Sequence, residues 1–325
     1  MKRNFVAIIF LSLIFSLGTQ AASRIKVGVL APEGTNWAKH MKSMGKEIKT
    51  KTNGEVKFKF YFGGAQGDEI DVLRKVRINQ LQGGIFTGKT LGDIHGDTRV
   101  VEIPFLFGND RAKAWSSVEK LTPYFNKGLN KEGFQNLGFF EIGLVYFVSQ
   151  TKTENLAALK GVKIWSWEGD RIVEAMIEKM KLISVPLPLP DVLSSLSTGV
   201  IEAAYAPAMP IIALQWSSKV KYLVDFPIAF SLGSFLISQK AWSTISAANQ
   251  KIVKEVAKVY MAKVNASNIA DNVDALKSIQ ANGVEFLKFP KADEETAKKL
   301  KQEIMTKLKG KLFSDDALKK LKATL

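Results

Sequence analysis

Residues 155–207 read NLAALKGVKIWSWEGDRIVEAMIEKMKLISVPLPLPDVLSSLSTGVIEAAYAP. The pattern predicts a β-α-β-α unit built around a cleft. Leu159-Lys160-Gly161 ends a short helical turn, residues 162–165 alternate as a strand does, and 171–180 are amphipathic at helical spacing. A second apolar strand is expected over 182–187. Pro190-Asp191 then stops the chain and opens a helix, with the Asp191 carboxylate placed to accept from free amides of the first turn and Gly199 closing it. Junctions from strand to helix are where α/β clefts hold ligands.

The flanking chain repeats the alternation. Residues 24–30 predict a strand, 37–51 a helix that ends before the turn pair Asn53-Gly54, 56–62 a strand, 68–79 a helix opened by acidic residues, and 82–87 a third strand. These five elements make one βαβαβ lobe. The apolar run 139–148 is expected to cross to a second lobe and 229–238 to return. Over 249–280, Ile252, Val256, Val259, Val264, Val273 and Ile279 keep an approximately helical spacing for about eight turns, long enough to brace both lobes. Ser314-Asp315-Asp316 caps a last helix over 317–325. The expected fold class is α/β, with two lobes, a cleft between them and a long bracing helix. The expected partition is 22–146 plus 236–275 for one lobe and 147–235 plus 276–325 for the other.

The first residues carry an export pattern: Lys2 and Arg3, an apolar run over 5–17 too short to cross a bilayer, then small residues up to Ala21-Ala22, with cleavage expected after Ala21. There is no cysteine, hence no disulfide framework and no thiol for a lipid anchor. The formal charge is +15, and loss of Lys2 and Arg3 lowers it by two to +13. The lysines are spread singly over helix faces such as 251–258 and 298–301, without the aromatic interleaving of a nucleic-acid surface, so no nucleic-acid partner is expected. Only His40 and His95 are present, which leaves a histidine-based triad or metal cluster little to draw on. Asp93-Ile94-His95-Gly96-Asp97 reads as a surface turn, and the glycine-rich segment 63–67 has neither the dinucleotide spacing nor a P-loop lysine. No enzyme activity, cofactor or metal is expected.

Several blocks resemble, in order, the solute-receptor subunits of tripartite ATP-independent periplasmic (TRAP) transporters, the DctP-like family. They are Thr52-Asn53-Gly54-Glu55-Val56 with Tyr61-Phe62-Gly63-Gly64-Ala65-Gln66-Gly67, then Glu102-Ile103-Pro104-Phe105-Leu106-Phe107, then 159–166 and 191–207. The resemblance implies a two-lobed periplasmic-binding-protein fold, a monomeric exported receptor in the periplasm, and integral-membrane permease subunits as partners. A carrier of an apolar metabolite or lipid that works without such a permease is the alternative.

The resemblance also implies three polar anchors for an organic acid, and here this chain departs from it. Trp165 stands where the family places a carboxylate-clamping arginine, Val145 aligns with a second arginine, and Ala206 with an asparagine. Lys163 and Arg171 are the nearby positive charges that would have to substitute. Trp165, Trp167, Phe147, Tyr205, Met209 and Trp216 supply apolar and aromatic area on this side, with Asn36, Trp37, Phe86 and Thr87 expected on the opposite wall. A hydrophobic or aromatic ligand is therefore expected in place of a small dicarboxylate.

Overall fold

The structure is a computed structural model that describes residues 22–325, so the expected export segment and its cleavage point lie outside the described residues. Ten strands run in chain order: β1 Ser23–Gly28, β2 Val56–Tyr61, β3 Gly83–Thr87, β4 Phe134–Ser149, β5 Lys163–Ser166, β6 Ile183–Pro186, β7 Ala203–Pro207, β8 Tyr222–Val224, β9 Ala229–Ser238 and β10 Glu285–Leu287. They share one path, β2-β1-β3-β9-β4-β7-β5-β6, with β8 and β10 off it. β1 pairs in parallel with β2 and β3, and β5 with β6 and β7, as the intervening helices require. The two antiparallel strands β4 and β9 lie between these parallel groups. β4 is apolar along almost its whole length because both faces are covered.

The βαβαβ lobe forms as expected, with helices Asn36–Lys51 and Glu69–Arg77 between its strands. The decisive 155–207 unit also forms: a 3-10 turn Leu156–Leu159, β5, helix Arg171–Met180, β6, helix Val192–Thr198 and β7. Two details differ. β6 is a mostly exposed edge strand, with Ile183 at 48% exposure. Asp191 is itself helical and its side chain caps nothing; the turn is held by the Ser194 hydroxyl donating to the Asp191 carbonyl. Gly199 does close that helix, in the left-handed region at φ 75°. Helix Arg111–Lys131, started by Asp110 accepting from the Lys113 amide at 2.9 Å, runs through Pro123, a residue that ordinarily ends a helix.

Helix Ala247–Ala281 is the brace, but not by a single apolar stripe. Val253, Val256, Tyr260, Met261 and Val264 enter the core beside β1 and helix Asn36–Lys51, while Ala275 and Ile279 enter a separate core around β7. Val259 and Val273, expected in the stripe, are about half exposed at 52% and 50%. Between the two cores the buried face is polar, because it meets an irregular piece of backbone.

That piece is a register break in β4 between Glu141 and Gly143. The Asn265 side chain accepts from the Glu141 amide at 2.7 Å, Asn268 donates to the Glu141 carbonyl at 2.7 Å, and Asn272 donates to the Ile142 carbonyl at 2.7 Å. Gly143 sits at φ 142°, and a Cβ there would come within 2.7 Å of the Asn272 amide nitrogen, so both conformation and approach require glycine. Asn268 is fully buried. Asn268→Ala is expected to leave the Glu141 carbonyl without its donor in the interior and to destabilise the protein by about 1–3 kcal/mol. Urea unfolding at fixed pH checks this, with a loss well below that range showing that the asparagine ladder does not anchor the helix.

Candidate functional site

Where the two groups of parallel strands face each other across β4 and β9, a cavity of about 150 Å³ opens. Its first wall comes from the segment after β1, the start of helix Asn36–Lys51 with Trp37, and the end of β3 with Ile85 and Thr87. Its second wall comes from Trp165 and Trp167 at the end of β5, Leu189, and Tyr205, Ala206 and Pro207 of β7, followed by Met209 and Trp216. Ile142 and Val145 of β4 and Ser231 of β9 form the floor.

Val145, Trp165 and Ala206, the three positions read as substituted anchors, all line this cavity. Tyr205, Trp167, Met209, Trp37 and Thr87 line it too. Three of the expected residues do not. Phe86 follows Ile85 and precedes Thr87 on a strand, so it points to the opposite face, where it is fully buried edge-on to Phe134. Asn36 is exposed and donates to Asp271 at 2.8 Å, turned away from its neighbour Trp37. Phe147 is fully buried in the core one step farther along β4, opposite Tyr205.

Trp165 belongs to the wall and to the core at once. It is 2% exposed, stacks on Tyr205 at 4.9 Å between ring centres, meets Trp216 edge-on at 5.4 Å and lies 5.3 Å from Trp167. Its indole nitrogen donates to the Leu187 carbonyl at 2.9 Å. The aromatic cluster thus fixes the ring that stands in the clamp position.

Neither nearby cation reaches the cavity. Lys163 is exposed at the start of β5, and Arg171 donates to the Lys311 carbonyl on the outside. Arg99, a buried arginine absent from the expected site, acts electrostatically on Tyr205, yet its charge is paired with two acids: 2.5 Å from Glu102 and 3.2 Å from both oxygens of Asp170. Asp170 also caps helix Arg171–Met180 through the Ile172 and Val173 amides. Burial pushes the Tyr205 phenol well above its ordinary value.

The carboxyl group in the lining is Glu69, which the sequence pattern disguised as one of two acids opening a helix. Asp68 suffices for that role: it forms the capping box and also accepts from Trp167 Nε1 at 3.0 Å and the Leu189 amide at 3.3 Å, tying the two walls together. Glu69 is left free to face inward, 3% exposed, where it accepts from the Thr87 amide and hydroxyl at 2.8 Å each. Burial raises its carboxyl to about 8 against these hydrogen bonds. Asp93 and Asp97, flanking His95, are committed elsewhere, Asp93 to Lys89 and Asp97 to Tyr124 and Ser314.

Glu69 gives a pH signature. A carboxyl raised on folding contributes stability that is complete below its unfolded value near 4.5 and is lost as pH rises through about 8. The urea midpoint of the protein is expected to fall between about pH 5 and 9, and to fall less in Glu69→Gln, which keeps the neutral shape at every pH. Parallel curves for the two proteins would place Glu69 in contact with solvent.

Comparisons with known proteins agree with this architecture. Residues 27–311 match the DctP family, described as bacterial extracellular solute-binding protein, family 7. An uncharacterized protein of Haemophilus influenzae is 24% identical over 332 residues, covering 98% of each chain. Among solved structures, the Bordetella pertussis extracytoplasmic solute receptor DctP7, binding pyroglutamic acid, superposes with a TM-score of 0.86 at 17% identity over 93% of this chain and 99% of that one. A TRAP periplasmic solute-binding protein of Haemophilus influenzae RdAW with bound L-gulonate gives 0.85 at 21% identity over 93% and 98%.

Proposed function

The chain belongs to the bacterial extracellular solute-binding proteins of family 7, and from that premise we propose that it is the receptor of a TRAP transporter. It captures a small solute with an apolar or aromatic body and no free carboxylate, and hands it to membrane permease subunits from the periplasm. No helix among the described residues is long and apolar enough to cross a membrane, which fits an exported receptor freed of its leader. It works as a monomer, with no nucleic-acid partner and no catalytic step. Its two bodies, residues 22–146 with 236–275 and 147–235 with 276–325, close over the solute about β4, β9 and the long helix. Across that closure run the ties from Asp68 to Trp167 and Leu189 and from Arg99 to Asp170.

One observation carries the choice of solute. Among the described residues that line the cavity, none is lysine, arginine or histidine. The relatives from Bordetella pertussis and Haemophilus influenzae hold pyroglutamic acid and L-gulonate, both acids. A carboxylate entering this cavity would lose its water and meet tryptophan, valine and alanine at the anchor positions, with Glu69 adding a second acid. Such burial costs several kcal/mol without a partner. The apolar wall instead rewards apolar area at about 25 cal/mol per Å². A cavity of about 150 Å³ suits a solute near the size of a single ring.

Thermal unfolding tests the assignment. Pyroglutamate, L-gulonate and succinate are expected to leave the melting temperature unchanged at millimolar concentration, while a ring-sized solute without a carboxylate raises it, since a ligand that binds only the folded state stabilises it. A rise with any of the three acids contradicts the proposal.

A further inference from the structure

Five aromatic residues, Trp37, Trp165, Trp167, Tyr205 and Trp216, share the cavity wall with one buried acid, Glu69. We propose that the solute is a small organic ammonium compound whose cationic head is caged by these rings and faces Glu69. The proposal rests on the preceding assignment of a cavity without a carboxylate clamp and narrows it to one chemical class.

Two observations favour a cation over a neutral apolar body. Ring faces carry negative charge density, and a cation within about 6 Å of a tryptophan face gains most when it has been stripped of water. Here four of the rings pack as one cluster, with Trp165 4.9 Å from Tyr205 and 5.3 and 5.4 Å from Trp167 and Trp216, while Trp37 stands on the other wall against Phe140. Next, Glu69 has hydrogen bonds of the kind an ionised carboxylate uses, both from Thr87, but the lining supplies no positive charge to set against it. The neighbouring acid Asp68 makes the vicinity more negative still and is itself held by Trp167 and Leu189. A ligand cation completes this arrangement and restores the ionised form that burial disfavours in the empty cavity. A neutral hydrocarbon would leave Glu69 protonated, with no partner on the cavity side beyond its bonds from Thr87.

Separately from the charge, the indole nitrogen of Trp37 is buried without a hydrogen-bond partner, and Trp37 is 5% exposed. A neutral oxygen on the ammonium compound would satisfy it. The formal charge, +15 for the full sequence and +13 once Lys2 and Arg3 are lost, opposes the approach of a cation at long range, which slows encounter without altering the contacts made inside the cavity.

Three ligands with one ring and different heads separate the possibilities by calorimetry: benzylamine, benzyl alcohol and benzoate. Wild-type protein is expected to bind benzylamine about tenfold or more tightly than benzyl alcohol, and benzoate not measurably. In Glu69→Gln, which keeps the shape of the neutral acid, the ratio between amine and alcohol is expected to fall to about one. Equal or tighter binding of the alcohol by wild type overturns the ammonium assignment and leaves the wider apolar-solute reading standing. Preferential binding of benzoate, or binding of none of the three, overturns both. An amine preference that survives in Glu69→Gln also overturns the assignment, since the acid would then not be the group that reads the charge.

Discussion

The polar seam between β4 and the long helix is the constraint on which the rest of the structure depends. Strand β4 has to serve two lobes, and it changes register at Glu141–Gly143 to do so. That break frees backbone groups in the interior, where each would otherwise cost free energy. Asn265, Asn268 and Asn272 take them up, and Asn272 also accepts from the Met209 amide at 3.0 Å. Glu141 is held from the other side by Arg111 at 2.8 Å to both carboxylate oxygens. Because Ile142 and Met209 line the cavity, the seam that joins the lobes also sets the floor and one side of the site.

Above that floor the chemistry follows from which groups remain uncommitted. Arg99 spends its charge on Glu102 and Asp170, and Glu102 in turn accepts from the Leu232 amide, so the charge of this buried arginine is balanced by two acids within the network. Trp165 occupies the clamp position as part of a packed cluster, so its ring is fixed by neighbours as much as by the strand that bears it. The outcome is a cavity lined by aromatic faces and a single inward carboxyl, and on the proposed reading these set its selectivity.

Much of this was legible from residue order. The alternation of 24–87 and the 155–207 unit define their elements because period and turn residues agree, and Val145, Trp165 and Ala206, read as substituted anchors, line the cavity. What failed did so for local reasons. Adjacent residues need not share a wall: Phe86 points away from Thr87 by strand alternation, and Asn36 from Trp37 by the turn of about 100° between successive helix residues. The helix through Pro123 was hidden by a residue that usually marks a boundary. The inward role of Glu69 was hidden because an acid at a helix start has an ordinary use, and only the contacts of Asp68 reveal that the use was already filled. Asn265, Asn268 and Asn272 recur at the spacing of one helix face, but polar residues in that pattern ordinarily read as a solvent face, and only the register break in β4 gives them interior partners.

Native mass spectrometry of the protein taken from the periplasm of its own host addresses the central claim directly, because it reads the solute that the cavity selects among all those available. The account predicts a retained small compound that bears a basic nitrogen and an apolar body and has no free carboxylate. A retained uronate, aldonate or dicarboxylate would contradict it.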